Sequence, residues 1–171
     1  MPESDVLGIE NIPLESSSPS GGVISVWTIN RPDKLNSLNS EVHSAIKSAC
    51  KLAESNDDVR VIVITGAPPN EPPEGKRSKP KSFVAGADIS EFSGMRSEQA
   101  RPIFDDNSWE AIWNLTKPTI AMIDGFALGG GSEIALSCDL RIATPQSKFG
   151  TPEINLGLIP GGGGTQRLCR L

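Results

Sequence analysis

Short apolar runs alternating with amphipathic helical stretches predict a layered α/β fold for this 171-residue chain. Three segments carry that prediction. Val59, Val61, Ile62, Val63 and Ile64 form a nearly continuous apolar run closed by Thr65-Gly66, as a strand covered on both faces would. Val42, Ala45, Ile46, Ala49, Leu52 and Ala53 recur at helical spacing behind Asn39 and Ser40, either of which can cap. Thr119 to Ile123 reads as another buried strand, leading towards three consecutive glycines and a further helix.

Taken in chain order, residues 1–22 read as a flexible lead-in ahead of a single core domain over 23–171. The stretch Glu15 to Gly22 is rich in Ser, Pro and Gly. Val23, Ile24, Val26, Trp27 and Ile29 form a β-rich run that ends in the turn-forming Asn30-Arg31-Pro32-Asp33. After the helix over Val42 to Ala53 and the strand at Val59, an exposed loop is expected from Ala67 to Lys81, where five prolines alternate with Lys76, Arg77, Lys79 and Lys81. A short strand at Ser82 to Val84 follows, then a helix from about Arg101 to Leu115 with Phe104, Ala111 and Leu115 on one face. A helix over Gly130 to Ser137 and a strand over Asp139 to Ala143 precede a Gly-rich end. The pattern alone leaves open a doubly wound sheet and a spiral of ββα units, and no fixed-period repeat is visible.

Composition narrows the function. A formal net charge of −5 disfavours a phosphate-neutralising surface, so nucleic acid is not an expected partner. Cys50, Cys138 and Cys169 show no C-x-x-C spacing and His43 is the single histidine, which argues against disulfide scaffolds, a metal site and Cys-His or Ser-His-Asp chemistry. The cysteines are read as packing residues and His43 as an ordinary helix position. Residues Met1 to Gly22 carry no Lys or Arg, unlike a secretory signal or a mitochondrial presequence. No apolar stretch has the length of a membrane span, so the expectations are a cytoplasmic location and no membrane partner.

Three segments can carry chemistry. In Asp124-Gly-Phe-Ala-Leu-Gly-Gly-Gly-Ser-Glu, the glycines at 129–131 permit a sharp turn and leave N–H groups unblocked at an electropositive helix start. Taken alone, this is as readily a tight strand-to-helix turn. Val84-Ala-Gly-Ala-Asp-Ile is a second small-residue turn, and together the two could supply two N–H donors to one oxygen, as a thioester carbonyl becoming an enolate requires. The third segment runs from Phe149 to Leu168 and holds a second carboxylate, Glu153, twenty residues after Glu133. Either glutamate is also compatible with a plain role, at a helix N-terminus or in a surface loop. Gly161 to Gly164 followed by Thr165 lacks the lysine of a phosphate loop and is not read as one.

Asn30-Arg-Pro-Asp-Lys-Leu-Asn, Phe83-Val-Ala-Gly-Ala-Asp-Ile, Asp124-Gly-Phe-Ala-Leu-Gly-Gly-Gly-Ser-Glu and Phe149-Gly-Thr-Pro-Glu-Ile-Asn-Leu-Gly-Leu-Ile-Pro-Gly-Gly-Gly-Gly-Thr-Gln-Arg-Leu resemble, in that order, the signature segments of the enoyl-CoA hydratase/isomerase (crotonase) family. The resemblance implies a spiral of ββα units. It places the oxyanion-hole donors at Ala87 and Gly130 and the paired catalytic carboxylates at Glu133 and Glu153. It also assigns Ala85, Asp88 and Ile89 to the substrate-binding turn, with Asp88, Asp139 and Arg141 as caps or buried partners. Lys81, aided by Lys79, is expected near the CoA phosphates.

The activity so implied is reversible addition of water to a 2-enoyl-CoA thioester, without metal or separate cofactor because coenzyme A is part of the substrate. An enoyl-CoA isomerase or a 3-hydroxyacyl-CoA dehydratase would use nearly the same residues, and a non-catalytic binding remnant is a further alternative. The family continues beyond the Gly-Thr-Gln-Arg segment into helices that cover the acyl pocket and build trimers. The resemblance therefore implies a core that is incomplete at its C-terminus and lacks the helical trimerisation region, with a trimer or dimer of trimers expected for a full-length member. The Pro-rich insert at 67–80 is longer than the family's usual turn.

Overall fold

The computed structural model describes residues 5–14, 21–96, 98–99 and 107–171. Two sheets organise it. The larger has the order β1 (Leu7–Pro13), β2 (Val23–Ile29), β3 (Val59–Gly66), β5 (Thr119–Ile123) and β7 (Leu140–Ala143), antiparallel between β1 and β2 and parallel elsewhere. The smaller is wholly parallel, with the order β4 (Ser82–Val84), β6 (Phe126–Leu128) and β8 (Lys148–Gly150).

The chain alternates between the two sheets. It leaves β3 for β4, β5 for β6 and β7 for β8, each time from the larger sheet to the smaller. Helices α2 (Ser108–Trp113), α3 (Gly130–Ser137) and α4 (Gly164–Arg167) follow the second strand of each pair, and α1 (Ser40–Glu54) follows Leu38. Leu38 forms a parallel bridge to Ala87 beside β4, so the first unit also touches the second sheet. The arrangement is the ββα spiral that the family resemblance implies, and it decides against the doubly wound sheet. It also explains why no sequence period was visible, because what repeats is a path between sheets and not a residue pattern.

The interior follows the apolar periodicities. Trp27, Ile29, Val42, Ile46, Ile62, Ile64, Phe83, Ile112, Ile123 and Ile134 are essentially fully buried in one core. Asn39 is the cap of α1, its side chain accepting from the Val42 N–H at 3.0 Å. Helix α1 buries Val42, Ile46, Ala49 and Ala53 as predicted and adds His43 and Cys50, whereas Leu52 stays exposed.

The structure departs from several expectations. Residues 7–13 are not part of a flexible lead-in: they form edge strand β1, in register with β2 from Leu7 opposite Ile29 to Pro13 opposite Val23. Their apolar alternation is interrupted at Glu10 to Pro13, and it is the backbone ladder to β2 that orders them. The Ser-rich stretch at 15–20 lies outside the described residues, as do 101–106 of the predicted helix, including Phe104. The described part of that helix is Ser108–Trp113, capped by Asn107. Strands β6 and β8 were not foreseen: Phe126–Leu128 runs straight into the glycines of the turn and Lys148–Gly150 is not an apolar run, unlike the equally short Ser82–Val84. Cys50 and Cys138 are buried, which pushes their thiols up to about 12, while Cys169 is exposed instead of packed.

Backbone contact pins β6 onto β4 at both ends. A Cβ on Gly131 would sit 2.0 Å from the Val84 carbonyl oxygen, and one on Gly125, at φ +91°, would sit 2.0 Å from the Lys81 carbonyl oxygen. Alanine in a helix ordinarily stabilises by ~1 kcal/mol relative to glycine. At Gly131 the sign should reverse, with Gly131→Ala destabilising by roughly 1–3 kcal/mol through overpacking. A urea midpoint at or above that of the parent would contradict this close approach.

Candidate active site

In a parallel sheet the carboxyl ends of neighbouring strands lie side by side, so the loops that leave them converge. The β4, β6 and β8 ends feed Ala85–Ala87, Gly129–Gly130 and Pro152–Glu153, and these three turns border one cavity of about 310 Å³. Glu133, Trp109 and Gly161 also line it, and Ile89, Phe92, Leu156, Leu158 and Ile159 give it an apolar wall. A larger hollow between α1 and α2 is lined by Lys47, Lys51 and Glu54 and holds none of the predicted site residues.

Ala87 and Gly130 are brought together. The Leu38 bridge is built from the Leu38 N–H donating to the Gly86 carbonyl at 2.8 Å and the Asp88 N–H donating to the Leu38 carbonyl at 2.7 Å. A parallel bridge of that kind flanks Ala87 and does not use its N–H. Gly130 is the first residue of α3, where N–H groups have no partner inside the helix. A Cβ on Gly130 would lie 3.8 Å from the Ala87 nitrogen. The preceding Gly129 has φ +52° and ψ −127°, backbone that favours glycine, and a Cβ there would meet Glu153 Oε1 at 2.9 Å.

The two carboxylates share the cavity but not an environment. Glu133 is only 2% exposed, and its Oε1 accepts from the Gly162 N–H at 2.7 Å and the Gly164 N–H at 2.8 Å. Burial pushes its carboxyl above the ordinary carboxylate range and Glu153 adds to the rise, while the Gly164 and Gly162 donors and Arg167 pull the other way. Glu153 stands in the 3-10 turn Pro152–Leu156, with its Oε2 buried and without a hydrogen-bond partner among the described residues.

The turn that carries Ala87 is held by the segment Arg31 to Leu38. Arg31 Nη2 pairs with Asp88 Oδ2 at 2.8 Å, and Asn36 Nδ2 donates to the Ser82 and Ala67 carbonyls at 2.8 and 2.9 Å. Leu35 and Asn36 both adopt left-handed backbone, at φ 52° and 57°. Two such non-glycine residues in sequence are uncommon and concentrate at functional sites.

Of the other sequence candidates, Ala85 and Ile89 line the cavity. Asp88 does not; it pairs with Arg31 and caps the turn Ile89–Phe92 by accepting from the Ser90 N–H, which fits its expected structural role and not a substrate contact. Lys81 also lies outside the cavity lining, with Nζ 2.6 Å from Asp124 Oδ2 on an exposed surface, and Lys79 pairs with Asp33. Asp139 accepts from the Thr119 N–H and hydroxyl, and Arg141 donates to the Cys138 carbonyl, so both are structural.

Sequence reasoning missed Trp109, which lines the cavity and donates its indole N–H to the Gly130 carbonyl at 2.8 Å. His43 is also more than a helix residue: it is buried, bonds Ser108 Oγ through Nδ1 at 2.9 Å and meets the Trp109 ring edge-on. No local motif marks either contact. Of the four glycines at 161–164, which do not form a phosphate loop, Gly162 and Gly164 turn their N–H groups on Glu133. Among the described residues no cluster of His, Cys, Asp or Glu could hold a metal ion, and no helix is long and apolar enough to cross a membrane.

Residues 20–171 match the enoyl-CoA hydratase/isomerase family. The chain belongs to that family. Among curated members, it is 44% identical over 165 residues to a short-chain-enoyl-CoA hydratase of Clostridium acetobutylicum, a match covering 95% of this chain and 58% of that relative. A crotonyl-CoA hydratase of Syntrophomonas wolfei is 41% identical over 167 residues, covering 96% and 58%. The crystal structure of an enoyl-CoA hydratase from Bacillus anthracis superposes with a TM-score of 0.81 at 33% identity, covering 97% of this chain and 58% of that one. The chain thus spans a little under three-fifths of the length of these relatives.

The Arg31–Asp88 pair that holds the Ala87 turn has a pH signature. Hydrogen bonds from Ser90 and Arg31 lower the Asp88 carboxyl to about 2. A carboxyl depressed on folding contributes stability above its unfolded value of about 3.9, and that contribution fades as pH falls through the folded value. We expect Asp88→Asn to cost on the order of 2 kcal/mol at pH 6 and to be nearly silent near pH 2. Urea unfolding across that range checks it, and a cost independent of pH would contradict the assignment.

Proposed function

We propose that this cavity hydrates a 2-enoyl-CoA thioester to the 3-hydroxyacyl-CoA, as the names of the similar hydratases suggest. The observation that carries the reading is the meeting, in one apolar-walled cavity, of two carboxylates with two backbone N–H donors. The thioester oxygen accepts from the Ala87 and Gly130 N–H groups, which stabilise the charge that grows there as the enolate forms. One such donor is commonly worth about 3 kcal/mol to a transition state.

In this reading Glu133 takes a proton from water as the water oxygen bonds to C3. The C=C electrons move towards the thioester oxygen, and on collapse of the enolate Glu153 delivers a proton to the α-carbon. The raised Glu133 carboxyl suits the base, because a higher pKa makes the carboxylate a stronger proton acceptor. Glu153 lines the same cavity and its Oε2 has no hydrogen-bond partner among the described residues, which supports its part as the proton donor. No electrons leave the substrate, so the reaction as written calls on no group beyond the coenzyme A that the substrate carries.

Acyl-CoA recognition and self-association belong to the same proposal. Strand β7 edges the larger sheet with Leu140 and Ile142 exposed by 59% and 61%, which supports burial against further copies. The Lys81–Asp124 pair places a cation close to the Ala85–Ala87 turn in sequence, and it supports CoA phosphate binding only if a phosphate displaces Asp124.

Glu133→Gln and Glu153→Gln should each lower crotonyl-CoA hydration by ~10²- to 10⁴-fold while leaving CoA affinity nearly unchanged. Following loss of the enoyl thioester absorbance reads the first effect and calorimetric titration of CoA the second. Parent-like turnover in both variants would sink the proposal. For the parent, kcat/KM should decline on the acid side about a midpoint above the ordinary glutamate value of about 4.3.

A further inference from the structure

The Gly-rich end does more than close the cavity. Gly162 and Gly164 each direct an N–H at the same Glu133 oxygen, and a side chain at either position would crowd the site. A Cβ on Gly162 would meet the Trp109 ring at 2.7 Å and Glu133 Oε2 at 2.9 Å, and one on Gly164 would meet Glu133 Oε1 at 3.0 Å. A loop of four consecutive glycines does not hold such a shape unaided, since glycine loses more conformational freedom on ordering than any other residue. Something must clamp it.

Arg167 is placed to do so. Its Nη1 donates to the Gly162 carbonyl at 3.0 Å and to Ser137 Oγ at 2.8 Å, while the Ser137 hydroxyl donates to the Glu133 carbonyl at 2.9 Å. The guanidinium lies 4.1 Å above the Trp113 ring, a cation–π contact that fixes its plane. One side chain thus ties the glycine loop, the last turn of α3 and the end of α2 together around Glu133.

We propose that Arg167 is a positioning residue for Glu133, acting through the glycine loop to aim two N–H donors at its carboxylate. Arg167 does not line the cavity, so it acts without touching the substrate. The charged neighbours of Glu133 among the described residues are Glu153, from the turn after β8, and Arg167, from α4. From α2 the neutral Trp109 faces it, and Glu110 on that helix is exposed. Strands β4 and β6 present Phe83, Val84 and Ala127 to the interior. Releasing the clamp therefore removes donors and a cation from Glu133 and leaves burial and Glu153, both of which disfavour the carboxylate.

The role of Arg167 in catalysis rests on the hydratase reading, but its effect on Glu133 does not, and the experiment separates them. The Glu133 carboxyl is titrated by ¹³C NMR in protein labelled at glutamate, with Glu133→Gln identifying the resonance. Arg167→Met should move its midpoint upward relative to the parent, and Arg167→Lys, which keeps the charge but not the fork, should move it less. Trp113→Leu, a change at a half-exposed ring, should shift it in the same direction and serves as the test if Arg167→Met does not fold. An unmoved midpoint in whichever of these variants folds would overturn the proposal.

Crotonyl-CoA turnover is measured alongside. The clamp predicts a roughly 10- to 100-fold loss of kcat in Arg167→Met with little change in KM, as expected when a catalytic group is misplaced and binding is spared. A shifted midpoint in a chain without hydratase activity would keep Arg167 as the clamp and reject the hydratase reading. Equal kcat values in parent and variant, with an unmoved midpoint, would reject the clamp alone.

Discussion

The site depends on backbone packed against backbone where α3 begins. Gly131 lies against the Val84 carbonyl and Gly125 against the Lys81 carbonyl, so β6 is drawn onto β4 more closely than any side chain allows. That approach sets the start of α3 beside the turn leaving β4, and it is why Gly130 and Ala87 are neighbours although 43 residues separate them in the chain. Hydrogen bonds at sheet edges tolerate some drift, whereas a contact that excludes even a methyl group does not. The placement of Gly130 beside Ala87 thus comes from steric exclusion.

Around that crossing, polar groups are placed where folding alone would not favour them. Glu133 is buried as deeply as the isoleucines of the core, and an ionised carboxylate there is tolerable only because glycine N–H groups and Arg167 face it. Glu153 keeps one oxygen without a donor among the described residues, and Leu35 and Asn36 hold left-handed backbone on the segment that supports the Ala87 turn. Local departures of this kind are expected where chemistry is done, because a site must remain reactive towards its ligand and cannot be satisfied wholly from within. The Arg31–Asp88 pair and the Asn36 amide, anchored on the carbonyls of Ala67 and Ser82, spread the strain into the surrounding fold.

Much of this architecture was legible in the residues. The runs at Val23, Val59 and Thr119 and the stripe from Val42 to Ala53 announce their strands and helix, because burial on one or both faces imposes a period on side chains. The glycines at 129–131 and the small residues at 85–87 announce turns in which the backbone is open to close approach. Strands β6 and β8 could not be read, since Phe126–Leu128 merges with the glycines that follow it and Lys148–Gly150 is not an apolar run, and β1 was hidden by its acidic and proline positions at an exposed edge. For Lys81 and Asp88, proximity in sequence to the turn suggested ligand contact, and the fold adds what the sequence does not show, a protein partner for each in Asp124 and Arg31.

By itself, then, the sequence determined the α/β class, the family and the four segments from which the cavity is made, because these rest on local periodicity and on residues with special backbone freedom. Tertiary structure alone decided which N–H groups share a cavity, that Gly162 and Gly164 face Glu133 and that Arg167 closes over that loop. Those outcomes depend on distances between segments remote in the chain, and such distances are set by how strands stack and how closely backbones approach, which no local pattern encodes.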